Sequence, residues 1–407
     1  MKPHLKFPQA AMLLFVVIAF GTGRLLAAEA SQAPAPLPSG MNLTSPMPYV
    51  VFQRSASNTA RIPIAGLADR PVALVEAKVT LMAPYQAGID GKSVKYTKIA
   101  KPNAAEFTGA LEVPAGGWYV LTVRAKDAAG KIIAQSEINK IGVGEVFVSA
   151  GHSFCSNFQG EAPSKAMDDR VATCSDWSET PPSAPAFRHC DDPLRPGDAN
   201  RASPWPAVGD VLVRRLHVPI LIICTGMGGS TVEEWRKGAD DPTSKIRGYP
   251  TCRLTLQRLT PYTGLRALVW FGNENDLSSG PTAEVFSDNL RALIARTRID
   301  SGYANLPWVI AFDAYDPGVT QKVGAEEKQR RKERLDRGTE IVLETVPCTY
   351  DGPQTDDLGP EFRRADGDHF NDAGVRQLGN RFARKIIQAF FPAPIPAPQT
   401  SKLSTPQ

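Results

Sequence analysis

The chemistry open to this chain turns on its few histidines. There are five in 407 residues. His4 lies in an N-terminal segment with the character of a leader. His217 sits in Arg-Arg-Leu-His-Val-Pro, at a helix-to-strand junction, and reads as structural. His189 lies beside Cys190 in a Pro-rich loop and reads as a surface residue. His369 stands in Ala-Asp-Gly-Asp-His-Phe-Asn-Asp-Ala-Gly, residues 365–374, just before the last helical pattern, with Asp366 three residues upstream. In a turn, that spacing brings a carboxylate against the imidazole. The carboxylate fixes the tautomer and stabilises the imidazolium, while the other ring nitrogen faces a nucleophile. Asp368 is closer in sequence, but side chains of adjacent residues diverge, so Asp366 is the expected partner. The plainer reading of the stretch is a capping loop, with Asn371 or Asp372 at the helix start.

The fifth histidine, His152, adjoins the candidate nucleophile in Gly151-His152-Ser153, which follows the apolar run Glu-Val-Phe-Val-Ser-Ala directly. A serine at a strand-to-helix corner is exposed at the carboxyl edge of a sheet. Position 155 is Cys, so the Gly-x-Ser-x-Gly elbow is absent. Two further loops follow apolar strands. Gly226-Met227-Gly228-Gly229-Ser230 offers backbone N–H groups to an oxyanion; it lacks the Lys-Ser/Thr continuation and glycine spacing of phosphate loops. Gly272-Asn273-Glu274-Asn275-Asp276 offers an amide side chain at the same edge. Each such donor is commonly worth about a hundredfold to a thousandfold in rate.

The elements that must position these residues fall into two patterns. From about Tyr49 to Ile141, short alternating runs (60–64, 73–81, 107–113, 118–124 and 132–138) are separated by turn signals such as Pro-Ala-Gly-Gly and Asp-Ala-Ala-Gly. This is the pattern of a small β-sandwich. Beyond it, apolar strands at 145–150, 218–225, 267–271, 308–312 and 341–343 alternate with helical patterns at 207–216, around Phe286–Ile294 and at 372–390. Continuous apolar strands interleaved with amphipathic helices imply a parallel sheet covered on both faces, with ligands at the carboxyl ends of its strands. The charge-dense stretch 326–337 reads as a solvated helix face.

Composition sets the outer bounds. A hydrophobic content of 42% and charged content of 22% suit a globular protein, and 407 residues suit two domains plus tails. A balance of 46 Lys+Arg against 42 Asp+Glu argues against nucleic-acid binding. Residues 1–30 carry Lys2 and Lys6, a short apolar run and Ala28-Glu29-Ala30, the layout of a signal peptide cleaved after Ala30. The expected organisation is a signal peptide at 1–30, a linker at 31–47, a β-sandwich at 48–142, an α/β domain at 143–391 and a Pro-rich tail at 392–407. A secreted or periplasmic chain without stable membrane insertion follows. Asn42-Leu43-Thr44 is a glycosylation sequon, meaningful only in a eukaryotic secretory route. Six cysteines, none in a Cys-x-x-Cys pair, argue against zinc and allow up to three disulfides after export. Cys224, within an apolar strand, reads as a buried thiol.

In order, Gly-x-Ser, a Gly loop, an Asn-bearing loop and Asp-x-x-His resemble the SGNH (GDSL-like) hydrolase superfamily. Within it the chain is similar to sialate O-acetylesterase-like and acetylxylan-esterase-like carbohydrate esterases. GEVFVSAGHS resembles that family's strand ending in Gly-Gln-Ser-Asn. VPILIICTGMGGSTVEEW resembles its Gly-Gly-Thr block ending in Trp, and ALVWFGNEND its Trp-x-Gln-Gly-Glu-x-Asp block. NLPWVIAF resembles the strand that follows, and DGDHFNDAGVRQLGNRFA the terminal Asp-x-x-His block and helix. YVVFQRSASNTARIPIAG resembles the opening of the β-sandwich that many members carry, so the likeness covers most of residues 48–391. Two of these blocks depart from the family's pattern. The family's Gln before the nucleophile is His152 here, its Asn after it is Phe154, and its Gln-Gly-Glu is Gly272-Asn273-Glu274. The resemblance implies a three-layer α/β/α domain with a parallel sheet, preceded by an Ig-like sandwich. It implies Ser153, His369 and Asp366 as the triad and an oxyanion site of the Ser153 N–H, Gly228 or Gly229, and Asn273, with Asn275 in reserve. It also implies an O-acetylated carbohydrate as substrate, and no metal or cofactor is needed. Two other readings fit the sequence: a non-catalytic carbohydrate-binding protein on the same fold, and a carbohydrate O-acyltransferase.

Overall fold

Period-two alternation builds the first part of the chain. A computed structural model describes residues 40–175, 185–194, 199–241, 243 and 248–392. The segments expected to be a leader (1–30), the linker up to residue 39 and the tail from residue 393 lie outside the described residues. The remaining linker residues contribute a strand, β1 (Met41–Ser45). It is followed by β2 (Val51–Gln53), β3 (Thr59–Val72), β4 (Leu74–Leu81), β5 (Val94–Ala100), β6 (Ala104–Pro114) and β7 (Gly116–Lys126). β1, β3 and β6 form one antiparallel sheet; β5, β4 and β7 pair antiparallel in another. Every second residue of these strands faces inward, so Ile62 and Ile64 of β3 and Leu111 and Val113 of β6 join Val75, Val79, Leu121 and Val123 in one apolar cluster. Full burial of each such side chain contributes roughly 1.5–3 kcal/mol.

β8 (Ile132–Gly151) is 20 residues long and belongs to both halves of the chain. Its first part pairs antiparallel with β7 and then parallel with β2. Its last part runs parallel between β11 (Ile220–Cys224) and β12 (Ala267–Phe271). The boundary expected between residues 142 and 143 therefore falls within a continuous strand, and the described residues all belong to one unit, Leu37–Gln407. With β9 (Val171–Ser175), β10 (Ala186–His189), β13 (Trp308–Phe312) and β14 (Thr349–Gln354), the sheet order is β10-β9-β11-β8-β12-β13-β14. β10 pairs antiparallel and the rest parallel.

Helices cover this mixed α/β sheet on both faces. Phe147, Ile220, Ile222, Val269 and Phe271 share an apolar cluster with Trp205, Leu212, Leu378 and Phe382, from helices Trp205–Leu216 and Asp372–Phe390. Their strand neighbours Val146, Val148, Leu221, Leu268 and Trp270 join Trp235, Phe286, Leu293 and Leu335, from helices Val232–Asp240, Ala283–Ser301 and Ala325–Thr345. Adjacent strand residues point to opposite faces, which separates the two clusters.

Two expectations are corrected. The strand expected at 341–343 is the last turn of helix Ala325–Thr345. Its buried residues Leu335, Gly338, Thr339 and Val342 recur at helical spacing, three, four and seven residues apart. The expected disulfides are not formed: no disulfide joins any of the six cysteines, of which five are buried and Cys348 partly so. Cys155, Cys190 and Cys224 fill one apolar cluster and Cys174 and Cys252 the other, as small apolar groups do. Burial pushes the Cys190 thiol well up and that of Cys252 to about 12, which keeps both protonated. Among the described residues, no helix is long and apolar enough to cross a membrane.

Candidate active site

The carboxyl ends of β8, β11, β12 and β13 gather the candidate residues at one sheet edge. β8 ends at Gly151, whose φ of +137° and contact with Phe271 exclude any side chain: a Cβ there would lie 2.0 Å from the Phe271 carbonyl oxygen. The chain then makes a 3-10 turn, Ser153–Cys155. Cys155 N–H donates to the His152 carbonyl (3.0 Å) and Ser156 N–H to that of Ser153 (3.1 Å). Gln159 ties this turn to the histidine loop. Its amide donates to the Ser153 carbonyl (2.7 Å), and its side-chain oxygen accepts the Phe370 N–H (2.9 Å).

His369 reaches the turn from the loop before the last helix. Arg364 N–H donates to the His369 carbonyl (2.7 Å), Gly367 N–H closes a turn onto Arg364 O (2.9 Å), and Asn371 caps the helix by accepting the Gly374 N–H (3.0 Å). The helix cap expected of Asn371 is thus formed. His369 Nε2 lies 3.1 Å from Ser153 Oγ, and Nδ1 lies 3.2 Å from Asp366 Oδ2. Asp366 Oδ1 accepts the N–H groups of Asp368 and His369, both at 3.0 Å. Asp368 Oδ2 is farther from Nδ1, at 3.8 Å. Burial alone raises the Asp366 carboxyl. The two N–H donors and the charges of His369 and Arg364 outweigh it and hold Asp366 below its ordinary value. Burial pushes Asp368 the other way, against the pull of His369.

Phe158, half-buried, stacks on the His369 ring, with centroids 5.8 Å apart and planes 24° apart. Its ring also lies against Gly228, where a Cβ would come within 2.9 Å of it. Met227 N–H is spent on the Gly151 carbonyl (2.8 Å), so the Gly226–Gly229 loop abuts the strand end that leads into Ser153. Among the described residues, the N–H groups of Ser153, Gly228 and Gly229 donate to no acceptor. Asn273 departs from expectation. Its side chain is buried and committed elsewhere: Oδ1 accepts Trp270 Nε1–H (2.8 Å), and Nδ2 donates to Ala311 O (2.9 Å). Its amide is therefore not an oxyanion donor. Asn275, the reserve, donates to the Ser230 carbonyl at 3.2 Å.

Sequence reasoning gave no role to His152, Gln159, Phe158, Asp313 or Arg364. Arg364 bridges Asp366 Oδ2 (3.3 Å) and the Phe158 carbonyl (2.9 Å). Only Asp313 had a usable signal, a carboxylate directly after an apolar strand at the same edge. His189 pairs with Asp191 (2.7 Å), and His217 caps its helix in a left-handed conformation, so both are structural. Among the described residues, no group of three or more His, Cys, Asp or Glu is arranged to hold a metal ion.

The fold is a mostly parallel sheet covered by helices on both faces, with the candidate residues at the carboxyl ends of its strands. Residues 144–388 match the family model described as "Carbohydrate esterase, sialic acid-specific acetylesterase", and the chain belongs to that family. The resemblance drawn from the sequence motifs is thereby borne out. Among solved structures, the chain is similar to a carbohydrate acetylesterase from Xanthomonas citri, with 17% identity, 84% of this chain and 73% of that chain covered, and a TM-score of 0.51. A protein from Arabidopsis thaliana aligns with 16% identity over 60% of this chain and 98% of that chain, with a TM-score of 0.45. A variant of an acetyl-xylooligosaccharide esterase from Geobacillus aligns with 14% identity over 60% and 94%, with a TM-score of 0.36. A search of curated proteins returned no match.

Proposed function

We propose that this chain is a serine esterase that removes O-acetyl groups from carbohydrate by double displacement. The observation that carries the reading is the unbroken relay from Ser153 Oγ to His369 Nε2 (3.1 Å) and from Nδ1 to Asp366 (3.2 Å). Ser153 Oγ attacks the acetyl carbonyl carbon as its proton passes to His369 Nε2. Asp366 holds the ring's tautomer and stabilises the imidazolium. The oxyanion is received by the N–H groups of Ser153 and of Gly228 or Gly229, which among the described residues have no competing acceptor. His369 returns its proton to the departing sugar oxygen. Water then attacks the acetyl-serine with His369 as base, and acetate leaves as Ser153 regains its proton. The acetylated carbohydrate follows from the family to which the chain belongs. The leader supports export with cleavage after Ala30, and the sheets of the first hundred described residues support a sandwich of the Ig-like kind.

The test is hydrolysis of a chromogenic acetate ester and of acetylated oligosaccharides by the purified chain, set against Ser153→Ala. The variant should fold normally and lose roughly a millionfold in kcat. Near-wild-type turnover by Ser153→Ala would remove it as nucleophile.

A further inference from the structure

The residue before the nucleophile has a second histidine–aspartate pair built beneath it. His152 has no solvent exposure, and both ring nitrogens are engaged. Phe154 N–H donates to Nδ1 (3.2 Å), so Nδ1 is an acceptor and the proton resides on Nε2. Nε2 lies 2.9 Å from Asp313 Oδ2 and donates to it. The same carboxylate oxygen accepts the Asn273 and Glu274 N–H groups, at 3.1 and 3.2 Å. Asp313 directly follows β13, and Asn273 and Glu274 follow β12, so one buried carboxylate links the ends of β8, β12 and β13. His152 is also where this chain departs from the Gln of the family it resembles.

We propose that His152 and Asp313 are positioning residues that set the nucleophile's turn, aiming the Ser153 N–H and Oγ for attack. The proposal rests on the esterase reading given above. Neither side chain touches substrate, because both are sealed beneath the sheet edge. They act through the backbone. Accepting the Phe154 N–H fixes the peptide plane next to Ser153, and anchoring the imidazole to Asp313 prevents that acceptor from rotating away. Positional errors of about 1 Å at such a site cost on the order of a hundredfold in rate. A Gln at position 152 preserves the logic: its side-chain oxygen can accept the Phe154 N–H and its amide can donate to Asp313.

The test compares His152→Ala, His152→Gln and Asp313→Asn with the wild-type chain on a chromogenic acetate ester. Thermal melting and inactivation by a phosphonate ester, which forms a tetrahedral adduct on Ser153, are followed alongside. His152→Ala and Asp313→Asn should lose about a hundredfold in kcat and in phosphonate reactivity with KM little changed, as for a lost oxyanion donor. His152→Gln should restore most of both. A lower Tm with kcat kept within about threefold in His152→Ala would mean the pair is purely structural. Should the variants fail to fold, nitrogen NMR of the wild-type chain remains decisive: a His152 proton on Nδ1 instead of Nε2 overturns the proposal. A wild-type chain inert to every acetate ester would sink the esterase reading, whereas an active wild type with unimpaired variants would sink the positioning pair alone.

Discussion

Two aspartates compete for His369, and their environments separate them. Asp366 and Asp368 stand 3.2 and 3.8 Å from Nδ1. Asp366 is held ionised by two backbone N–H groups, whereas burial disfavours the charge of Asp368. The folded-state value of Asp366 lies below its ordinary 3.8, so its contribution to stability is complete above that value and is lost as pH falls through the lower one. Asp366→Asn should therefore cut kcat by roughly ten-thousandfold through loss of the correct tautomer. Asp368→Asn should cost less than about tenfold. Steady-state kinetics of the two variants side by side decide the matter, and a crippled Asp368→Asn beside an active Asp366→Asn would reverse the assignment.

At the scale of elements, the helix Val232–Asp240 is held at its N-terminus from two sides. Thr231 and Glu234 form a reciprocal capping box, and Asp276 Oδ2, from the short helix Asp276–Ser279 after β12, accepts the Val232 N–H at 2.9 Å. Asp276 is 3% exposed, and burial pushes its carboxyl up to about 7. The helix dipole favours the anion by about 0.3–1 kcal/mol. Desolvating a carboxylate costs several kcal/mol, so burial wins. A carboxyl whose folded value is raised costs stability as pH climbs from 3.8 towards 7. Asp276→Asn keeps an acceptor for Val232 and removes that cost. Its Tm should exceed that of the wild type at pH 8 and match it at pH 4, and calorimetry that finds the same difference at both pH values would refute the assignment.

Across the whole molecule, the two halves of the chain are joined by β8 and by Glu145 within it. Glu145 is fully buried and accepts from Arg54 Nε (2.5 Å), Gln53 Nε2 (2.9 Å) and Arg266 Nε (2.7 Å). Arg54 and Gln53 come from the segment around β2, and Arg266 from the residue before β12. Both guanidinium groups also face the Phe391 ring, at 5.4 and 5.6 Å. Removing one partner of a buried ionic cluster leaves the others uncompensated. Glu145→Ala should cost on the order of 3 kcal/mol. It should also loosen the segment around β2 together with the ends of β8 and β12, as one cooperative unit in hydrogen exchange. Exchange that rises around β2 alone would mean that the halves are not coupled through this residue.

The sequence by itself determined what is local. Helix Asp372–Phe390 was legible to the residue, because Val375, Leu378, Phe382 and Ile386 repeat at helical spacing after a capping Asn371. β12 and β13 were legible as apolar runs of five. The approach of Ser153, His369 and Asp366 to one another was legible because all three lie in short motifs at strand and helix ends. Three apolar residues at 341–343 misread as a strand because so short a run has no period of its own; only packing against the sheet chose the helix. β9, β10 and β14 were missed, since Thr, Cys, Arg, Gly and Gln within them hide the strand pattern that pairing supplies. Tertiary structure alone decided that Asn273 turns inward to Trp270 and Ala311, that the cysteines serve as apolar filler, and that β8 carries both halves of the chain. It alone brought Asp313 under His152 across 161 positions, because hydrogen-bond partners of buried groups are chosen by neighbouring strand ends and not by distance along the chain.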